Sequence, residues 1–145
     1  MRDTVRRWIE AKRGAVGEPF AARNGAAPSA VIYKIMGKMF AILSLRGDEY
    51  VILKCEPELV PILRARYSGV GYRSHLDRRY WISIALDDDV PSKEIKRLIS
   101  LSYDLVSAKL TGKRKAELAG SSKKADAGSP RARQSRDQRR SPERA

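Results

Sequence analysis

Residues 31–54 read VIYKIMGKMFAILSLRGDEYVILK, and this stretch decides the fold. Val31–Met36, Met39–Leu45 and Tyr50–Lys54 are apolar runs with many β-branched and aromatic side chains, the composition of a pleated, half-buried surface. Gly37-Lys38 and Arg46-Gly47-Asp48-Glu49 separate them and suit tight turns. A parallel crossover needs a dozen residues or more, so these connections make an antiparallel meander of three strands.

Helices are expected on both sides of the meander. Upstream, Val5, Trp8, Ile9 and Lys12 share one helical face, with Asp3 placed to cap and Gly14 placed to stop. Gly17–Ser29 is rich in Gly, Ala, Pro and Asn and reads as a loop. Downstream, Glu56–Tyr67 reads as a helix, although Pro61 lacks a donor and favours a start near Val60. Ser68–Gly71 breaks the chain, and Tyr72–Leu86 reads as a second hairpin in which Ile82, Ile84 and Leu86 alternate with Trp81, Ser83 and Ala85. Asp87–Pro91 then opens a helix ending near Leu110, with the acids taken as partners of its N-terminal dipole rather than as cation ligands. The fold class is α+β: an antiparallel sheet of about five strands with helices packed on one face, in the order α-β-β-β-α-β-β-α. Phe40, Ile42, Ile84, Leu98 and Ile99 are the expected core between sheet and helices.

Charge divides the 145 residues, which carry 30 Lys and Arg against 17 Asp and Glu, a net of +13. Residues 113–145 hold 11 basic and 4 acidic side chains, one Leu, and no Val, Ile, Phe, Tyr or Trp. A segment so poor in apolar surface cannot offset its ordering entropy, so 113–145 is expected to be a disordered basic tail on a domain of 1–112. One cysteine, Cys55, and one histidine, His75, exclude an intrachain disulfide and Cys- or His-rich metal cages. Met39–Leu43 is the longest apolar run, too short for a bilayer, and the N-terminus lacks a signal-peptide core. A cytoplasmic protein with polyanion partners, nucleic acid first, is the expectation.

The chemistry-bearing segment is Tyr72-Arg73-Ser74-His75-Leu76-Asp77-Arg78-Arg79-Tyr80-Trp81, seven of whose ten residues are Arg, His or aromatic. Guanidinium forks bind phosphate and aromatic faces stack on bases. If Ile82 and Ile84 face the core, Trp81 lies on the opposite face; the competing reading buries Trp81 and leaves the arginines as solvated surface. Lys34 and Lys38 join Arg73, His75, Arg78, Arg79 and Trp81 as candidate nucleic-acid contacts. No Gly-rich phosphate loop is present, and Cys55 and His75 have no flanking support as a catalytic pair. No enzymatic activity, cofactor or metal is expected.

Several segments resemble one family in order and spacing: Gly37–Leu43 (GKMFAIL), Leu53–Leu59 (LKCEPEL), His75–Trp81 (HLDRRYW), Leu86–Pro91 (LDDDVP) and Ser102–Val106 (SYDLV). On these motifs, covering Val31–Leu110 well and the first helix loosely, the chain is similar to the MmcQ/YjbR family. The resemblance implies a frataxin-like (CyaY-like) fold and a DNA-binding protein with a double-wing arrangement of hairpins. Gly37, Lys38, His75, Arg78, Arg79 and Trp81 fall on its motif positions. Met36, Tyr80 and Ile82 depart from it, replacing a common Gly, His and Asn. The implied function is non-enzymatic binding of nucleic acid, DNA first, through the basic hairpin and tail. A protein-interaction or small-ligand domain with incidental charge is the alternative. An iron role by analogy with frataxin sits poorly with the Arg-rich first helix.

Overall fold

The computed structural model describes residues 1–20, 27–73 and 75–110. The proposed tail, 113–145, lies outside them. In chain order the elements are α1 (Arg2–Glu10), β1 (Ala15–Phe20), β2 (Ala30–Ile35), β3 (Lys38–Ser44), β4 (Tyr50–Lys54), α2 (Leu59–Arg66), β5 (Val70–Gly71), β6 (Trp81–Ala85) and α3 (Ser92–Ser107). The strands form one antiparallel sheet in the order β1-β2-β3-β4-β6-β5.

The α+β architecture is as expected, with one strand more. β1 occupies the start of the segment read as a loop. Its Gly17 lies opposite Tyr33, where a Cβ would come 2.9 Å from the Tyr33 ring. The glycine that reads as a strand breaker is what lets this edge strand lie over a large aromatic neighbour. The second hairpin shrinks: β5 has two residues, and the rest of the approach to Trp81 is irregular.

One sheet face is packed. Val31, Tyr33, Ala41, Leu43, Val51, Leu53, Ile82 and Ile84 join Val5 and Ile9 of α1 and Ile95, Leu98, Ile99 and Val106 of α3 in a single core. A bulge between Tyr33 and Lys34 shifts the β2–β3 register, pairing Tyr33 with Ala41 but Lys34 with Met39. Phe40 and Ala41 are therefore both fully buried, and Phe40 meets Tyr103 edge to face at 5.5 Å. Past the bulge the alternation is inverted, so Ile42, expected in the core, is half-buried on the opposite face. Phe40, Ile84, Leu98 and Ile99 are buried as expected.

The β2–β3 turn is Met36-Gly37, both at positive φ (48° and 84°), the mirror-image turn that matches strand twist. Ser102 of α3 ties the helix to the sheet where β3 and β4 part. Its hydroxyl donates to the carbonyl of Phe40 (2.6 Å) and accepts the N–H of Lys54 (2.9 Å).

Helix ends differ from expectation in instructive ways. Met1, not Asp3, takes the α1 cap position; Asp3 lies in the first turn. α2 starts at Leu59, so Pro61 is its third residue, where no intrahelical donor is needed. α3 ends at Ser107, and its cap position is Pro91 with no side-chain bond. The Asp87–Asp89 acids do not cap it. Asp89 instead accepts the backbone N–H groups of Ser68 and Gly69, each at 2.8 Å, and pins the α2–β5 loop. Those bonds hold its carboxyl below the usual range.

Candidate nucleic-acid interface

The helix-free face of the sheet follows from strand alternation and register. One row across it carries Val16, Lys34 and Met39 from β1, β2 and β3, with the Lys54–Trp81 pair continuing it on β4 and β6. The next row is Glu18, Ile32, Ile42, Ile52 and Ser83, and the third is Phe20, Ala30, Ser44, with Tyr50 and Ala85 beyond. Val16 and Phe20 are large apolar residues left 58% and 56% exposed.

Trp81 lies on this face, half-buried and outside the core, while Ile82 and Ile84 on either side of Ser83 are buried. The reading with Trp81 outside the core is the one observed. The Lys54 ammonium sits 5.9 Å from its ring centroid. Desolvation, together with the charges of Lys109 and Lys38, pushes the Lys54 ammonium pKa down. Lys54, Lys109 and Tyr50 were missed as candidates. Trp81 and Lys54 sit directly opposite one another, but only the register reveals it.

The segment leading to Trp81 turns where Asp77 suggested. Tyr80 and Trp81 donate their N–H groups to the carbonyl of Asp77 at 3.0 and 3.1 Å. Arg78 and Arg79 thus occupy a turn and are exposed, as is His75. Their charges are not equally available. Arg79 grips Asp77 through Nε (3.1 Å) and Nη2 (2.7 Å), and this guanidinium holds the Asp77 carboxyl down at about 2. Arg73 pairs with Asp48 at 3.0 Å and stacks 4.1 Å from the Tyr50 ring. Arg78 lies 4.8 Å from the Tyr72 ring, and Lys34 pairs with Glu18 at 3.0 Å. Lys38 is exposed at the start of β3.

The candidates therefore do not converge on one point. Lys38 lies toward Lys54 and Trp81; Arg73 lies toward a groove of about 610 Å³ lined by Asp48, Glu49, Asp87 and Asp88 as well as Tyr50. That groove carries more acid than base and is unsuited to phosphate. No group of three or more His, Cys, Asp or Glu among the described residues is arranged to hold a metal ion. Cys55 is buried, and burial pushes its thiol up to about 11, the direction opposite to the lowered value of reactive thiols.

Comparison with known proteins adds the decisive finding: the family model described as YjbR matches residues 12–105. The chain belongs to the YjbR family. The YjbR protein of Escherichia coli K12 is 32% identical over 71 residues, 48% of this chain and 60% of that protein, so the match spans less than two thirds of the relative's length. YbdF of Escherichia coli O157:H7 is 30% identical over 98 residues, 66% of this chain and 80% of that protein. Both relatives are described as uncharacterized. In fold, this YjbR-family chain is similar to a Deinococcus radiodurans protein with a DUF419 domain, at a TM-score of 0.70 and 24% identity, covering 81% of this chain and 86% of that one. It is also similar to a Pseudomonas syringae protein, at a TM-score of 0.62 and 23% identity, covering 72% and 97% respectively. No helix among the described residues is long and apolar enough to cross a membrane.

The family motifs have structural work within the YjbR fold. Ser102 and Tyr103 of the SYDLV stretch hold α3 against Phe40, Lys54 and, through the Tyr103 hydroxyl, the carbonyl of Arg13 at 2.6 Å. Met36, where a Gly is common, takes the positive φ that glycine adopts without cost.

Proposed function

We propose that this chain is a non-catalytic nucleic-acid-binding protein, with DNA its target, that uses the Asp77–Tyr80 turn and the adjoining helix-free face. The observation that carries the reading is the placement of Arg78 and Arg79 in an exposed turn immediately before Trp81. Guanidinium groups at such a tip can meet phosphates, and the surplus of 13 positive charges over the whole chain strengthens long-range attraction. The Asp77–Arg79 pair is fully exposed and exchanges readily for a phosphate. The basic residues of 113–145 supply further phosphate contacts in this reading.

The test is binding of the full chain to DNA across a salt series. Replacing both Arg78 and Arg79 by Ala should lower the slope of log affinity against log salt by about 1.8 on duplex, from two lost contacts, with an unchanged melting temperature. Binding that is indifferent to both the double substitution and salt would sink the proposal. A second reading, a protein-interaction domain, rests on exposed Val16 and Phe20 of the edge strand; loss of a protein partner on Phe20→Ser, with no DNA affinity to lose, would favour it.

A further inference from the structure

At the end of the sheet where Lys54 closes β4, three lysines gather where the strands meet the end of α3. Six cations of the described residues pair with acids: Arg2 with Glu49, Arg6 with Glu10, Lys34 with Glu18, Arg73 with Asp48, Arg79 with Asp77 and Arg97 with Glu94. Lys38, Lys54 and Lys109 have no ion pair among the described residues. They come from the start of β3, the end of β4 and the bend after α3. Lys38 and Lys109 are near enough for their charges to bear on the Lys54 ammonium.

Trp81 lies directly opposite Lys54 in the register. The half-buried indole keeps part of its apolar surface in water, which burial against a further group would cover. Here its cross-strand neighbour is Lys54, whose ammonium lies 5.9 Å from the ring centroid, and two residues along is small, buried Ser83. A base inside a duplex has both faces occupied by its stacking neighbours, whereas an unpaired base offers its own π-face.

We infer that Trp81, Lys38, Lys54 and Lys109 form a site for one nucleotide of a single strand, with the base stacked on the indole and the adjacent phosphate held by the three lysines. This rests on the nucleic-acid reading above and narrows it from DNA in general to single-stranded nucleic acid. A phosphate relieves the mutual repulsion of the three ammonium groups, none of which has an ion pair among the described residues. The indole supplies stacking that does not depend on which base is present, so the site is expected to tolerate sequence. Arg78 and Arg79 then guide the strand at the edge of the platform rather than read a groove.

The experiment follows the emission of Trp81 in the full chain carrying Trp8→Phe, which removes the other tryptophan. The probes are a short oligothymidylate and a duplex of the same length. The expected results are quenching of Trp81 by the single strand and tighter binding of it than of the duplex at the same salt. Lys54→Gln should weaken single-strand binding and lower its salt slope by about 0.7. Trp81→Ala should weaken it roughly 5- to 100-fold; melting curves identify any unfolding, and Lys54→Gln carries the test if Trp81→Ala does not fold. Duplex binding that exceeds single-strand binding and leaves Trp81 emission unchanged overturns the inference and leaves the nucleic-acid reading standing. Absence of binding to either probe at low salt overturns both.

Discussion

The hydroxyl of Tyr33 donates a 2.7 Å hydrogen bond to the carboxylate of Glu10, joining the second strand of the sheet to the last residue of α1. The Tyr33 side chain is fully buried, and Glu10 also accepts from Arg6 at 3.1 Å. Burial, then the neighbouring carboxylate, pushes the Tyr33 phenol up to about 12. The bond from Tyr33, followed by that from Arg6, holds Glu10 below the usual carboxylate range.

These shifts set the pH response. The Tyr33 contribution is complete below the ordinary phenol value of 10.0 and is lost as pH rises toward about 12, because the unfolded chain releases the proton first. The Glu10 contribution is present above its ordinary value of 4.5 and is lost as pH falls through the lowered one. Tyr33→Phe should cost about 1–2 kcal/mol at neutral pH and should flatten the alkaline loss. Urea melts of both proteins at neutral and alkaline pH check this; parallel curves at alkaline pH would contradict it.

Ser102→Ala should cost about 2–4 kcal/mol, since it strands the buried carbonyl of Phe40 and leaves the N–H of Lys54 without its acceptor. Hydrogen exchange supplies a local readout: the Lys54 amide should lose protection more than the amides of β2. Uniform loss across the sheet would mean that Ser102 acts through packing alone.

Ile84→Ala and Ile42→Ala should separate cleanly. Ile84 is completely enclosed and its truncation should cost about 2–5 kcal/mol. Ile42 is half-buried on the other face and should cost less than about 1.5 kcal/mol. Equal losses in denaturant melts would place Ile42 back in the core and contradict the bulge.

Asp77→Asn should raise affinity for nucleic acid and steepen its salt dependence, because it removes a negative charge from the turn and frees the Arg79 fork. Fluorescence anisotropy against salt measures both. A fall in affinity with an intact melting temperature would indicate that Asp77 matters more for shaping the turn than its charge matters against phosphate.

The meander was legible because β2, β3 and β4 are apolar runs with short connections, and β6 because Ile82, Ile84 and Leu86 alternate cleanly. β1 was not. Its Gly17 and Pro19 read as a loop, and only the crowding against Tyr33 explains the glycine. The face of Ile42 was hidden because a bulge inverts alternation without leaving a mark in composition. The side of Trp81 stayed open between two readings that only the register of β6 against β4 decides, whereas the turn at Asp77 followed from local chemistry. The lysines beside Trp81 did not, since Lys38, Lys54 and Lys109 are far apart in sequence and meet only through the register of β4 with β6 and the seating of α3 by Ser102. Asp89 misled for the same reason: its partners, Ser68 and Gly69, are twenty residues upstream.

Cys55 gives the molecule an internal clock. It is the single thiol in 145 residues, walled in between the sheet and the two later helices, with its N–H held by the carbonyl of Tyr80 at 2.7 Å. Because the closed state keeps the sulfur protonated and covered, an alkylating reagent must wait for the wall around α2 and the turn before Trp81 to part. The waiting time counts those openings. Any ligand that holds the turn against β4 lengthens it, so occupancy at the surface can be timed from a reaction in the interior.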